Sequence, residues 1–298
     1  MRVGIFWVLL LANCTPRKSA ESALDVVAYK LEIERWHQKR LQELQGPQGW
    51  LNVAGLFWLH DGINTFGSDP KNDVAFPEGK IAERAGYFML KNGIVMVDIP
   101  IGISITIKGK PVSHITMFHP DSTKNPTLSF DSLQWFIIKR DTKYGVRLRD
   151  FRNEELRNFK GIERYEVDPA LRLTARFEKT GGRTILITNI LGQTTPQPSP
   201  GTLVFNLDGK EFRIDAIDEG DEDLFIIFGD ASNAKETYGA GRYLYVKRPD
   251  TSGKTVIDFN KAYNPPCAFT AFATCPLPPK QNVLPVSIKA GEKNYAAH

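Results

Sequence analysis

The chain is 298 residues long, 42% hydrophobic and 24% charged, an ordinary globular composition with enough apolar material for one large core or two modest ones. Its net charge of +4 is spread along the sequence. Without a concentrated basic face, nucleic acid is excluded as a partner class.

The N-terminus differs from the rest. Arg2 precedes a short apolar run, Ile5 to Ala12, and Cys14 follows at once. The run is too short for a permanent membrane span and suits the core of a signal peptide over residues 1–13. Leu11-Ala12-Asn13-Cys14 resembles a bacterial lipobox, which implies acylation of Cys14 and a tether over residues 14–21. The alternative is an ordinary signal peptide with an incidental cysteine. On the first reading the protein is a lipid-anchored envelope protein facing the periplasm or exterior, touching membrane only through that lipid.

Three cysteines are present, and lipidation of Cys14 leaves Cys267 and Cys275 as a pair. Their separation of eight positions suits a disulfide in an oxidising compartment. The alternatives are a metal pair or a reactive thiol. No metal is expected, because no histidine grouping supplies further ligands.

Residues 22–45 lack Gly and Pro, and Val26, Tyr29, Ile33 and Trp36 recur at helical spacing before Gly46-Pro47. This predicts an amphipathic helix, with His37 on its solvated side. Beyond Gly49 the period becomes two. Ile101 to Ile107, Leu133 to Ile137, Leu171 to Phe177, Leu203 to Leu207 and Phe212 to Ala216 each read as a strand with one buried face. Asn92-Gly93, Gly181-Gly182 and Asp208-Gly209 read as hairpin turns. Gln193 to Gly201, rich in proline, reads as a long loop. The fold class is mainly β: the helix, an antiparallel sandwich-like half over 49–150, and a second β-rich half over 160–298. The latter carries a long Pro-rich loop, 258–292.

That loop interleaves Pro265, Pro266, Pro276, Pro278, Pro279 and Pro285 with rings and polar side chains, so tertiary contacts must hold it. Nearby, Lys235 to Arg242 offers two glycines beside Tyr238 and Arg242. A guanidinium fork suits a carboxylate or phosphate. Glu236, Tyr238, Arg242, Asp258, Asn260, Tyr263 and Asn264 together make a candidate pocket for a small polar or anionic ligand. An equally open reading has Arg242 pair with Asp230 or Asp258 to pin the loop. Asp258 or Glu236 acting as general base would make a hydrolase, and a structural envelope protein would have no site.

Other candidates carry less. Asp218 to Asp223 reads as a solvated turn and not a calcium loop. No G-x-S-x-G occurs, and Ser68-Asp69-Pro70-Lys71 places a proline where a helix is needed. His114 and His119 lie near Asp121 without a nucleophile in sequence. Trp50, Phe57 and Trp58 read as core before they read as a sugar platform. No phosphate- or dinucleotide-binding motif appears, so no cofactor is expected.

Two resemblances add to this. Residues 62–112 resemble a forkhead-associated β-sandwich in the spacing of turns and strands. Ser68 and the Glu83-Arg84-Ala85-Gly86 stretch replace the residues that read phosphothreonine. Gly49 to Leu59, Asn64 to Pro70, Lys235 to Leu244 and Asp258 to Glu292 are similar to the bacterial domain-of-unknown-function 1684 family. That resemblance implies an architecture and names no reaction.

Overall fold

The computed structural model describes residues 24–295. Cys14, the apolar run and the tether expected above lie outside the described residues. Helix α1 (Val26–Gln45) starts at Asp25, whose carboxylate accepts from the backbone N–H groups of Val27 and Ala28 at 3.0 and 3.1 Å, an N-cap that satisfies two orphan donors. No helix among the described residues is long and apolar enough to cross a membrane.

The first half holds strands β1 (Val53–Trp58), β2 (Gly62–Gly67), β3 (Val74–Ala75), β4 (Gly86–Lys91), β5 (Ile94–Asp98), β6 (Thr106–Ile107), β7 (Lys110–Pro111), β8 (His114–Phe118), β9 (Leu128–Phe130), β10 (Leu133–Arg140) and β11 (Lys143–Asp150). They form a six-stranded sheet, β1-β11-β10-β9-β6-β7, and a five-stranded sheet, β3-β2-β4-β5-β8. Phe66, Phe88 and Val97 from one sheet meet Trp135, Val146 and Leu148 from the other in a single buried core. This is a sandwich.

After helix α2 (Glu154–Asn158) come β12 (Arg172–Thr188), β13 (Thr194–Leu207), β14 (Lys210–Asp215), β15 (Asp223–Phe228), β16 (Arg242–Lys247) and β17 (Lys254–Asp258). A four-stranded sheet, β14-β13-β12-β17, packs on the β15-β16 hairpin around Phe205, Ile214, Ile226, Leu244, Ile257 and Phe259. The fold is mainly β, and among the described residues all pairings of these strands but β2–β3 are antiparallel.

Four local expectations need correction. Only Thr106–Ile107 of the Ile101–Ile107 run is strand. Pro100 lacks a ladder donor and Gly102 turns the chain at φ +99°, leaving Ile101 fully exposed. Gly181-Gly182 is no hairpin turn but a bulge within β12, where Lys179 faces Gly201 and Arg183 faces Ser199. The turn comes later, at residues 189–193. Gln193 to Gly201 is therefore strand from Thr194 onward. Its prolines are tolerated because β14 pairs only with Thr202 to Leu207, so the proline-bearing stretch lies on a sheet edge. His37 is not on a solvated face: it is buried, with Nδ1 lacking a partner.

Candidate functional site

The residues singled out in the sequence do not converge on one recess. Arg242 points into the second half and is fully buried. Its Nη2 donates to Asp230 Oδ1 at 3.2 Å and to Ile288 O at 2.8 Å, and its Nη1 donates to the carbonyls of Ala290 and Glu292. The guanidinium thus pins the C-terminal segment and faces no open space. Gly291 makes this close approach possible: its φ is +74°, and a Cβ there would sit 2.3 Å from Ala262 O. Asn264 serves the same anchor. Its N–H donates to Glu292 Oε2 at 2.6 Å and its Nδ2 to Lys293 O at 2.7 Å. Arg40 of α1 closes the group on Glu292 Oε1 at 3.3 Å. Burial pushes the Glu292 carboxyl up despite these donors.

Tyr238 is half-buried among Leu44, Leu51 and Phe269, on a different side. Glu236 is exposed, accepting from Tyr165 Oη at 3.1 Å and pairing with Lys289 at 3.1 Å. Lys289 and Tyr165 hold its carboxyl below the usual range. A general base needs the opposite shift, so this position does not favour a hydrolase.

Asp258 and Tyr263 do share a recess. Asp258 ends β17, and its Oδ1 accepts from Tyr29 Oη at 2.7 Å and from the backbone N and Nδ2 of Asn260 at 3.1 and 3.2 Å. A carboxylate oxygen filled by three donors is fixed as an acceptor. Asn260 is buried behind it, giving Nδ2 to Asp168 O at 2.8 Å and to Tyr29 Oη at 2.9 Å. Tyr29 is raised by burial and by Asp258, so its hydroxyl stays protonated and holds α1 to the sheet.

The recess is a groove of about 650 Å³ between α1, β17 and the end of β16, a size typical of small-molecule sites. Pleat geometry builds its floor. In the β12–β17 ladder Arg172 faces Asp258, Thr174 faces Val256 and Arg176 faces Lys254, so this row shares the outer face. Leu173, Ala175 and Ile257 point the other way into the core. Glu32 and Trp36 of α1 form one wall, and Tyr245 and Tyr263, stacked at 6.3 Å with planes 13° apart, form the other.

The charges around this groove are unevenly matched. Lys261 pairs with Glu32 at 2.5 Å, Lys247 with Asp223 at 3.5 Å, and Arg248 with Asp218 at 2.7 Å. Asp250 takes the N–H groups of Ser252 and Lys254 in a turn. Arg172 and Lys254 remain without an acid partner among the described residues, and Arg172 lies 5.7 Å over the Tyr29 ring. Sequence reading missed Arg172, Tyr245 and Lys254. The outward positions of Leu171 to Phe177 were the available signal, but nothing local told a groove floor from a solvated face.

Cys267 and Cys275 are free thiols, so the expected disulfide is not formed in this structure. No cluster of three or more His, Cys, Asp or Glu side chains disposed to hold a metal occurs among the described residues. Asp218 sits in the β14–β15 connection, held by Arg248. Ser68 is buried and donates to Ile81 O at 2.8 Å. His114 pairs with Asp98 at 3.1 Å on an exposed strand, and Trp50 and Phe57 pack against the cores.

Among solved structures the chain is similar to an uncharacterized protein of Haloarcula marismortui determined by solution NMR. The identity is 29%, with 49% of this chain and 83% of that chain covered and a TM-score of 0.41. It is also similar, at 10% identity, to a chain from a structural and functional analysis of phosphothreonine-dependent FHA domain interactions. That match covers 32% of this chain and 92% of the other, with a TM-score of 0.22. No curated protein matches the chain. Residues 157–293, within the second half, match the family described as Protein of unknown function (DUF1684).

Proposed function

We propose that this protein is a lipid-anchored envelope protein that binds a small anionic ligand in the groove between α1 and the β12–β17 edge. The anchor reading rests on Arg2, the apolar run Ile5 to Ala12 and Cys14. The binding reading rests on one observation: Arg172 and Lys254 share the face of the groove without acid partners, beside a wall of stacked tyrosines. A carboxylate or phosphate of the ligand takes the two cations, while its apolar or ring portion lies on Tyr245. Asp258 and Tyr263 are the residues of the sequence-derived set that belong to this site. Arg242 and Asn264 support it only through the fold.

The test is thermal denaturation of the purified chain with citrate, glucuronate or inorganic phosphate as probe. Ligand at a hundredfold excess over Kd stabilises by about 2.7 kcal/mol, roughly 4–5 °C for a chain of this size. The double variant Arg172→Ala/Lys254→Ala is expected to keep its own melting point within about 2 °C, since both side chains are exposed, and to lose the response. A shift that survives the double variant, or no shift with any of the three anions, removes the proposal.

A further inference from the structure

The face of the sandwich that meets the second half carries an unusual pair of cations. Arg147 and Arg149 alternate on β11 with Val146 and Leu148, which fill the sandwich core. Both arginines point outward, yet they are only 5% and 6% exposed. Neither has a carboxylate partner among the described residues, and the Nε of each lacks a hydrogen bond. Arg149 is satisfied in part by Gly49 O and Asn52 Oδ1. Arg147 has less: a 3.4 Å contact from Nη2 to Phe272 O and the Trp50 ring at 5.2 Å. A guanidinium taken out of water wants an anion, because its lost hydration is not repaid by a ring and one long hydrogen bond.

Arg147 meets the second half at Phe272, in the loop between Cys267 and Cys275, and both thiols lie near enough to feel its charge. The backbone N–H of Cys267 donates to Cys275 Sγ at 3.1 Å, which sets the two thiols side by side. Cys267 is half-buried and Cys275 is buried among Ile187, Phe225 and Tyr243. The S–H of Cys275, with Arg147 as a further contributor, holds the Cys267 thiol below its usual range, while Cys275 is pushed up by that same bond and by burial. The other polar groups at this seam are committed or neutral. Tyr243 donates to Pro276 O at 2.7 Å, Arg140 reaches Thr274 Oγ1 at 3.2 Å, and Tyr238 is raised by burial.

We infer that Arg147, Cys267 and Cys275 form a thiol–disulfide exchange site, with Cys267 the attacking thiolate and Cys275 the resolving thiol. The co-reactant is a small external disulfide, RSSR. The Cys267 thiolate attacks one sulfur, the S–S bond of RSSR breaks, and RS⁻ leaves with the electron pair. Cys275 then loses its proton to the released thiolate and attacks the Cys267 sulfur. The mixed disulfide breaks, the intramolecular bond forms and a second RS⁻ departs, taking up a proton from solvent. Two protein thiols are oxidised and one disulfide is reduced to two thiols. Attack by the more acidic, more accessible sulfur is the order that exchange chemistry favours.

The test uses the full chain, reduced, exposed to oxidised glutathione and quenched with iodoacetamide, with peptide mapping to separate Cys14. Wild type is expected to form the Cys267–Cys275 bond. Cys275→Ser is expected to accumulate glutathione on Cys267, and Cys267→Ser to leave Cys275 reacting about tenfold slower or less. Arg147→Met, checked for folding by circular dichroism, is expected to slow alkylation of Cys267 at neutral pH, with Arg147→Lys restoring most of the rate. If wild type stays reduced, or if Cys275 carries the mixed disulfide as readily as Cys267, the assignment is wrong. The cysteine variants decide the matter even if Arg147→Met fails to fold.

Discussion

His37 shows how one side chain can be misread and then become informative. Its sequence neighbours, Gln38, Lys39 and Arg40, place it on a polar stretch, but the helix turns it inward against the second half. Burial depresses its pKa below the usual 6.5, and Arg164 adds to the effect. The neutral ring is therefore the folded form. For a depressed pKa the stabilising contribution is present above the unfolded value and lost as pH falls through the folded one. Melting temperature is expected to fall as pH drops below about 6.5, and His37→Leu is expected to flatten that part of the profile. An unchanged slope between wild type and His37→Leu would show that another group carries the acid sensitivity.

Among the elements, the β12–β13 hairpin carries the clearest lesson. Local chemistry predicted a turn at Gly181-Gly182 and a loop at 193–201, since diglycine and repeated proline are turn and loop signals. Both were overridden by a long ladder, because Ile185 and Ile187 have an apolar cluster to fill on one face. The bulge puts two additional residues on β12 between Lys179 and Arg183, and strand parity explains why that number is even. Deleting Gly181 and Gly182 together is expected to preserve which face each later side chain takes. Deleting one alone turns Ile185 and Ile187 outward, a loss of roughly 3–6 kcal/mol of burial. Urea denaturation of the two deletions compares them directly, and a single deletion as stable as the double would contradict the bulge register.

Across the whole molecule, helix, hairpin and C-terminal tail are tied by ionic contacts that sequence cannot locate. Glu34–Arg164 at 2.5 Å, Glu32–Lys261 at 2.5 Å and Arg40–Glu292 at 3.3 Å fasten α1 to the second half. The fully buried Arg242–Asp230 pair fastens the tail to the β15–β16 hairpin, Arg242 through the carbonyls of Ile288 and Ala290 and Asp230 through the N–H of Ile288. Removing one member of such a pair leaves an uncompensated charge, at a cost of about 3–5 kcal/mol. Arg242→Met is expected to lose stability on that scale in denaturant titrations while any anion-induced shift of the folded fraction persists. A stability change under about 1 kcal/mol would instead mean that the guanidinium does not hold the tail.

The residues 24–295 therefore divide cleanly by what determines them. Period-two patterning made Leu133 to Ile137, Leu171 to Phe177 and Leu203 to Leu207 legible as strands, and the uninterrupted helix formers before Gly46 made α1 legible, because side-chain periodicity is a property of adjacent residues alone. The fate of polar side chains was decided elsewhere. Arg242 was legible as important but not as buried. Val146-Arg147-Leu148-Arg149 has the alternation of a strand with a wet face, and only distant segments, Trp50 and Phe272 over Arg147 and Gly49 and Asn52 over Arg149, dry that face. Asp258 and Tyr263 became groove residues because α1, some 230 positions away from Asp258, lies alongside them. Sequence sets which face a side chain takes; what covers that face depends on long-range packing, which no local pattern encodes.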